Sequence, residues 1–389
     1  MTPHGHRRAG HTVKRPPAEA VGDIPADAGP ANHDAPLVLV DGRMARRRPT
    51  GIATYIRELR HVMERRPASD LRVEWVYGPP GLPRRGKITS VGNLLLDLLW
   101  LHVLLPLAAL RRRAAIIHAP VTWGPWWSPC RTVVTMHDLS WERVPDSFPD
   151  NFRRYARFFA RRSVARAQRV IAVSDSTAND LRELYNVPNE RIRVVPNGVE
   201  PDVRPPEPRE PLILSVGVLE GRKRIATLAA GHALYMRDAP ANPPPCRLVI
   251  VGGDGGEEAA VRAAAGPGCE IRGFVQREEL LDLYRRATLL AYPSAYEGFG
   301  IPVAEAMAHG CPVLCARNSS LIEIGGATAI FIEDEDVTPE GIAAALTAAL
   351  SDRRALAERG EAGREQAARY SWPAAATATR DVYRQALRR

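Results

Sequence analysis

Two stretches of the sequence combine residue types that can hold a phosphorylated, hydroxyl-rich ligand and stabilise charge developing on it. The first is residues 293–305, PSAYEGFGIPVAE. Pro302 suits the first position of a helix, where its missing N–H would be unpaired anyway. Gly298 and Gly300, which flank Phe299 and precede Ile301, let backbone N–H groups approach a ligand, and such a helix start attracts phosphate. Glu297 in the loop and Glu305, expected on the first helical turn, face one cleft, where two carboxylates can accept hydrogen bonds from sugar and ribose hydroxyls. An ordinary helix start with a dipole-favoured glutamate has the same composition.

The second stretch is residues 215–224, SVGVLEGRKR. Gly217 marks a turn, and Arg222 beside Lys223 offers bidentate hydrogen bonds plus a point charge, the combination a leaving diphosphate requires. A solvated basic helix start is the plainer reading of the same residues.

Groups of this kind need a rigid frame, and the rest of the chain supplies its signature. Short apolar, β-branched runs recur between longer helical patterns, as in βα units around a parallel sheet. Six lie at 36–40, 72–77, 115–118, 132–136, 169–173 and 192–195, and six more at 211–216, 247–252, 269–272, 288–292, 312–315 and 329–332. Between the two series, NGVEPDVRPPEPREP at 197–211 can continue neither sheet and reads as a linker. The sequence therefore predicts an α/β protein of two Rossmann-like domains facing across a cleft. Residues 1–35 form a disordered arm, 36–205 and 206–371 the N-terminal acceptor and C-terminal donor domains, and 372–389 a final helix crossing back to the N-terminal domain. Ser371, Trp372 and Pro373 break the helical tail that begins near Gly341, and Pro373 opens that last helix. Ligands in open α/β sheets bind beyond the carboxyl ends of the strands, and both chemical stretches directly follow strands.

Composition narrows the partners. The 389 residues are 45% hydrophobic and 25% charged, an ordinary globular balance, and too many for one core. A formal charge of +9 fits an anionic partner, while 6% aromatics and the lack of an RNP-like, zinc-finger or helix-turn-helix pattern argue against nucleic acid. No apolar stretch follows the N-terminal basic residues, so a cytoplasmic protein is expected. Cys130, Cys246, Cys269, Cys311 and Cys315 are odd in number and form no C-x2-C pair, which points to reduced, buried thiols.

Residues 94–110 (LLLDLLWLHVLLPLAAL) reach the lower limit of a membrane span, but Asp97, His102 and Pro106 interrupt them, so a buried or interfacial helix is expected. The arginine-rich residues 153–169 read as an amphipathic surface helix that could meet lipid headgroups. GGDGG at 252–256 lacks the Gly-Lys-Ser/Thr ending of a P-loop and reads as a strand-to-helix turn, and the acidic run 333–336 as a solvated loop.

Together EGFGIPVAE and VGVLEGRKR resemble the paired motifs of retaining GT-B glycosyltransferases of family 4. PTGIATYIREL (49–59), HAP (118–120), TMHDLSWERVPDSFP (135–149), VIAVSDSTANDL (170–181) and VVPNGV (194–199) are similar to that family too, so the likeness spans residues 36–389. The resemblance implies that Arg222 and Lys223 hold the diphosphate, Glu297 the donor sugar and Glu305 the ribose, with His137 near the reacting carbon. It places Gly51, Gly217, Asn197 and the 298–301 segment in donor binding, and Ile52, Thr54, Tyr55 and Asp138 on the acceptor side. The sequence departs from the pattern at Ala53 and Thr54, where the family often has Gly-Arg, and at Arg224, where it often has Asn.

The implied activity is transfer of a sugar from a nucleotide-diphosphate donor, with retention, no metal and no cofactor. Residues 137–149 most resemble enzymes that use GDP-mannose, with UDP-glucose or UDP-N-acetylglucosamine as the alternative donors. The acceptor would be a glycan, a lipid-linked sugar or a small-molecule hydroxyl; for a lipid-linked acceptor, residues 94–110 or 153–169 would make peripheral contact with an anionic membrane. A nucleotide-sugar-binding regulator without turnover and a nucleotide-sugar epimerase are the competing readings.

Overall fold

The computed structural model describes residues 34–46, 50–79, 81, 87–205, 207–238 and 245–388. Nearly all of the expected arm, together with Pro49 of the glycine-containing motif and Pro206 of the linker, lies outside them.

Among the described residues, twelve strands form two sheets, each strand within a residue or so of a run read from the sequence. The first six are β1 (Leu37–Asp41), β2 (Arg72–Val76), β3 (Ile116–Ala119), β4 (Arg131–Met136), β5 (Arg169–Ala172) and β6 (Ile192–Val194). They are followed by β7 (Glu210–Val216), β8 (Arg247–Val251), β9 (Cys269–Gly273), β10 (Ala287–Tyr292), β11 (Val313–Ala316) and β12 (Ile330–Ile332). Every pairing is parallel, in the orders β2-β1-β3-β4-β5-β6 and β12-β11-β10-β7-β8-β9. Helices cover both faces of such a sheet, which is why inner strands such as β1, β8 and β10 read as near-continuous apolar runs, whereas the edge strands β2 and β9 alternate charged with apolar residues.

Each order contains one reversal. The chain builds outward from β1 to β2 and returns to place β3 on β1's other side; likewise it proceeds from β7 through β9 and returns to place β10 on the other side of β7. At such switch points successive loops diverge and leave a crevice at the strands' carboxyl ends. Gly217, Arg222 and Lys223 follow β7, Glu297 follows β10, and Gly51 lies in the connection after β1.

The terminal helix Trp372–Leu387 crosses back onto the first sheet. Trp372, Ala376 and Tyr383 are buried in the same core as Val38, Ile116 and Val133. The Tyr383 hydroxyl pairs with His118 Nδ1 at 2.7 Å, and Arg384 pairs with Asp70 at 2.7 Å. The two chain crossings between the halves are tied together: Val199 N–H donates to the Tyr370 carbonyl at 3.0 Å, and a Cβ on Gly198 would collide with the Trp372 backbone.

Some helix boundaries differ from the sequence reading. Pro302 and Pro373 are second rather than first in their helices, which begin at Ile301 and Trp372. The tail from Gly341 has an additional break at Asp352, whose side chain caps the next helix by accepting from Ala355 N–H at 2.9 Å. The arginine-rich helix ends at Arg166, and Arg169 already belongs to β5. Residues 87–111 form one continuous helical rod with a π-helical segment at Trp100–Leu104. Pro106 explains the irregularity: it cannot donate to the His102 carbonyl four residues earlier, and Trp127 Nε1 donates to that carbonyl at 2.8 Å instead.

Candidate active site

The residues after β7 and β10 converge on one carboxylate. Lys223 Nζ donates to the Tyr292 hydroxyl at 2.8 Å and to Glu297 Oε1, and the Tyr292 hydroxyl donates to the same oxygen at 2.9 Å. Arg222 stands 3.5 Å from that oxygen, pairs with Glu220 at 2.7 Å and donates to the Tyr296 carbonyl at 3.1 Å. Lys223 and Glu297 are buried. Desolvation alone would raise the Glu297 pKa, but the charges of Lys223 and Arg222 overcome it and hold the carboxyl down at about 2. Burial lowers the Lys223 pKa against the pull of Glu297, and Arg222 adds to that lowering. Arg222 is raised: burial opposes its charge, yet Glu297, Asp138 and Glu220 more than compensate. The result is a fixed anion flanked by two fixed cations, oriented before any ligand arrives.

Glu305 stands apart from this cluster. It is the fifth residue of the helix Ile301–Ala308, on the second turn rather than the first, and its two oxygens accept from Arg277 and, at 3.1 Å, from the Tyr284 hydroxyl. Arg277 also lies 3.7 Å from Glu200, on the segment joining the two sheets.

Across the cleft, His137 follows β4. Its Nε2 donates to the Pro120 carbonyl at 3.1 Å, and its ring meets Tyr55 edge-on. Burial lowers the His137 pKa against the opposing influences of the Pro120 carbonyl and Asp138, so the ring is neutral near pH 7. A carbonyl only accepts, so Nε2 carries the proton and Nδ1 presents a lone pair. Asp138 Oδ1 accepts from the Ser140 N–H at 3.1 Å and hydroxyl at 2.8 Å, starting the short helix Ser140–Arg143. Its charge still reaches Arg222 from the opposite domain.

The glycines divide by role. Gly51 opens the helix Gly51–Arg65, capped by Thr50, and a Cβ there would lie 3.4 Å from Ile301 Cδ1, so this helix start faces the other across the cleft. Gly300 has φ +92°, a conformation open to glycine, just before Ile301. The sequence places a ligand beside Gly298, but in the structure its close neighbour is protein: a Cβ would collide with the His137 carbonyl oxygen. Its own carbonyl accepts from Ser174 Oγ at 2.6 Å and Thr177 Oγ1 at 3.1 Å. Gly217 abuts Gly252, where a Cβ would strike the Gly217 carbonyl, so GGDGG is the strand-to-helix turn read from the sequence, packed against the turn before Arg222.

Three expected ligand residues belong to the interior instead. Tyr55 is wholly buried, its hydroxyl 3.3 Å from Thr135 Oγ1 and its ring against that of His137, and desolvation pushes its pKa up to about 12. Phe299 packs edge-on against Tyr370 in the second domain's core. Asn197 is buried beside the chain crossing, with its Oδ1 unpaired. Ile52 packs on the first core, and Thr54 N–H donates to the Thr50 carbonyl, so both are part of the Gly51 helix start.

The departures from the family pattern have local explanations. Ala53 is buried without exposure, so the core fills that position. Arg224 adopts φ +52°, where asparagine is favoured over other side chains, and is held by Asp334 at 2.7 Å. The acidic run 333–336 is exposed, and Asp334 is occupied by Arg224 and by Asn318 at 2.8 Å.

Sequence reasoning missed Tyr292, Arg277 and Glu220. Each lies at or just beyond the carboxyl end of a strand, and that position was the available signal.

Residues 49–203 match the family model described as Glycosyltransferase Family 4, and residues 200–366 that described as Glycosyl transferases group 1. The O-antigen chain mannosyltransferase B of Escherichia coli is 31% identical over 275 residues, 65% of this chain and 70% of that protein. The D-inositol 3-phosphate glycosyltransferase of Xylanimonas cellulosilytica is 32% identical over 254 residues, 58% of this chain and 59% of that protein. In fold, the chain resembles sucrose-phosphate synthase from Thermosynechococcus elongatus, with a TM-score of 0.69 at 19% identity over 90% of this chain and 98% of that one. It also resembles Anabaena HepE, solved in complex with UDP and glucose, with a TM-score of 0.65 at 16% identity over 90% and 99% of the two chains. With a two-sheet GT-B architecture, both halves matched in order and a relative above 30% identity, the chain belongs to the family 4 glycosyltransferases.

Proposed function

We propose that the chain moves a hexosyl group from a nucleotide-diphosphate donor to an acceptor hydroxyl, with retention at the anomeric carbon and without a metal. The observation that carries this reading is the buried cluster in which Glu297 Oε1 collects Lys223, Tyr292 and Arg222. All three reach Oε1, and in this reading the carboxylate so held accepts from a sugar hydroxyl. Arg222 and Lys223 are the cations for the diphosphate, and the helix start at Ile301, facing Gly51, adds backbone N–H groups.

In the step itself, the bond from the anomeric carbon to the phosphate oxygen breaks, and its electron pair leaves with the diphosphate. The acceptor oxygen bonds to that carbon on the same face, and its proton passes to the departing phosphate oxygen. No enzyme carboxylate forms a covalent intermediate. Charges that are already fixed need little reorganisation as the leaving group becomes anionic, which makes them effective in a desolvated site. The His137 Nδ1 lone pair serves as an acceptor for a donor-sugar hydroxyl, and Glu305 holds the ribose.

GDP-mannose is the first donor to test, supported by the Escherichia coli relative, whose name is that of a mannosyltransferase. The assay incubates the chain with GDP-mannose, UDP-glucose or UDP-N-acetylglucosamine in excess chelator and follows release of the nucleoside diphosphate. Slow hydrolysis of GDP-mannose is the expected result. Faster turnover of a UDP-sugar reassigns the donor, and activity lost in chelator but restored by magnesium overturns the metal-free reading. Donor binding without any release would make the protein a nucleotide-sugar-binding regulator.

A further inference from the structure

The helical rod of residues 87–111 leaves one face uncovered. Val91, Leu94, Leu95, Leu99, Val103 and Leu110 are exposed, Leu95 by 61% and Leu110 by 56%, values that belong to no core. They run along about 28 Å of helix at the usual rise. The stretch Val91–Arg111 is long and apolar enough to cross a membrane. Its opposite face forbids that course: Trp100, Leu101, Leu105 and Ala109 pack in one core with Leu37, Leu39 and Ile117, and Asp97 lies 3.7 Å from Arg43. Spanning would strip this core and draw an ion pair into hydrocarbon. The helix can only lie flat.

The apolar stripe continues into the arginine-rich helix Asp150–Arg166 through two tryptophans. Trp126 stacks on His102 with centroids 4.3 Å apart and meets Phe158 edge-on at 6.3 Å, while Trp127, itself exposed, donates to the His102 carbonyl. Arg162 lies over the Trp126 ring, and Arg166 donates to the Trp126 carbonyl. Among the described residues, no carboxylate pairs with Arg111, Arg113, Arg154, Arg162 or Arg166.

We propose that this composite face, formed by the apolar stripe of residues 91–110, Trp127, Phe158 and the arginines around them, docks flat on an anionic lipid bilayer. The rim selects this occupant. Unpaired guanidinium groups bordering an apolar stripe match a surface with acyl chains beneath and phosphate groups above, and Trp127 is the residue type that settles at that boundary. A second copy would bring the same basic rim toward its own likeness.

Flotation of the full chain with vesicles tests the proposal. It should float with phosphatidylcholine containing about a third phosphatidylglycerol, stay behind with phosphatidylcholine alone, and lose binding as salt rises. Leu95→Glu with Val103→Glu should abolish flotation, and Arg111→Ser with Arg113→Ser should weaken it about thirtyfold, roughly fivefold per arginine. Both pairs are exposed, so the melting temperature should match the wild type. Wild-type protein remaining in the supernatant overturns the proposal, as do variants that float as well as the wild type. A dimer in solution that Leu95→Glu with Val103→Glu converts to monomer, without vesicle binding by the parent, would give the face to a second copy instead.

Discussion

The backbone carbonyl of His137 occupies the place where a Cβ on Gly298 would have to go. These residues belong to different sheets, and the contact sets how closely the two halves approach beside the cluster of Lys223, Arg222 and Glu297. Ser174 and Thr177 hold the Gly298 carbonyl from the same side. Gly298→Ala should therefore force the halves apart at the site. Displacement of about 1 Å can cost on the order of a hundredfold in rate, so kcat/KM should fall by about that factor. Each domain keeps its own core, so the circular dichroism spectrum should be unchanged. Wild-type kcat/KM in Gly298→Ala would show that this closeness is not needed for turnover.

Arg222 and Lys223 should separate when each is removed. Lys223 is buried against Glu297, and Lys223→Ala leaves that carboxylate without its nearest partner, a loss of about 3–5 kcal/mol of stability for a buried pair. Arg222 also meets Glu220 and is more exposed, so Arg222→Ala should fold normally and lose about a hundredfold or more in kcat. Thermal melts alongside kinetics check this. Equal melting-temperature losses in both variants, with little change in kcat for Arg222→Ala, would assign both to structure.

The inner strands were legible because a parallel sheet buried on both faces demands near-continuous apolar, β-branched runs, while the edge strands β2 and β9, which alternate charged with apolar residues, were legible from their place in the series. The two chemical motifs were legible because they follow β7 and β10 directly. What the sequence hid is long-range. Tyr292 reads as an ordinary β-forming residue until the fold brings Lys223 to its hydroxyl, and Arg277 reads as one charge among many at a helix start. The same blindness worked in reverse for Tyr55 and Phe299: aromatic side chains inside functional motifs suggest ligand contact, whereas here they anchor the motifs to the cores. Gly298 suggested a ligand's approach, and only tertiary packing shows the neighbour to be His137.

The pH behaviour follows from the cluster. The Glu297 pKa falls from about 4.5 in the unfolded chain to about 2 in the folded one, so its ionisation contributes about 3 kcal/mol that is fully present above pH 4.5. That contribution is lost as pH falls through the folded value near 2. The stability advantage of wild type over Glu297→Gln should shrink across that window and stay flat from pH 5 to 8. Lys223 has a folded pKa below the ordinary 10.5, so kcat should decline on the basic side before an exposed lysine would titrate. Denaturant titrations and pH–rate profiles test the two halves separately. An advantage that instead varies steadily from pH 5 to 8 would mean Glu297 titrates there, outside the control of Lys223 and Arg222.

The two carboxylates should also differ kinetically, because they sit in different networks. Glu305 is held by Arg277 and Tyr284 on a helix away from Lys223 and Arg222, and in the proposed reading it grips ribose equally before and during the reaction. An interaction of equal strength in ground and transition states affects binding alone, so Glu305→Gln should raise the donor KM with little change in kcat. Arg277→Ala should do the same by freeing the Glu305 side chain. Glu297 is fixed by Lys223, Tyr292 and Arg222, and if it orients the donor sugar as proposed, Glu297→Gln should lower kcat more than it raises KM. Tyr292→Phe removes one of the three contacts to Oε1 while keeping the ring, and should show a milder form of the Glu297 pattern. Steady-state kinetics with the donor varied distinguishes them. If Glu305→Gln abolished kcat with unchanged donor affinity, or if Tyr292→Phe behaved like Arg277→Ala, the assignment of the two carboxylates to opposite ends of the donor would be wrong.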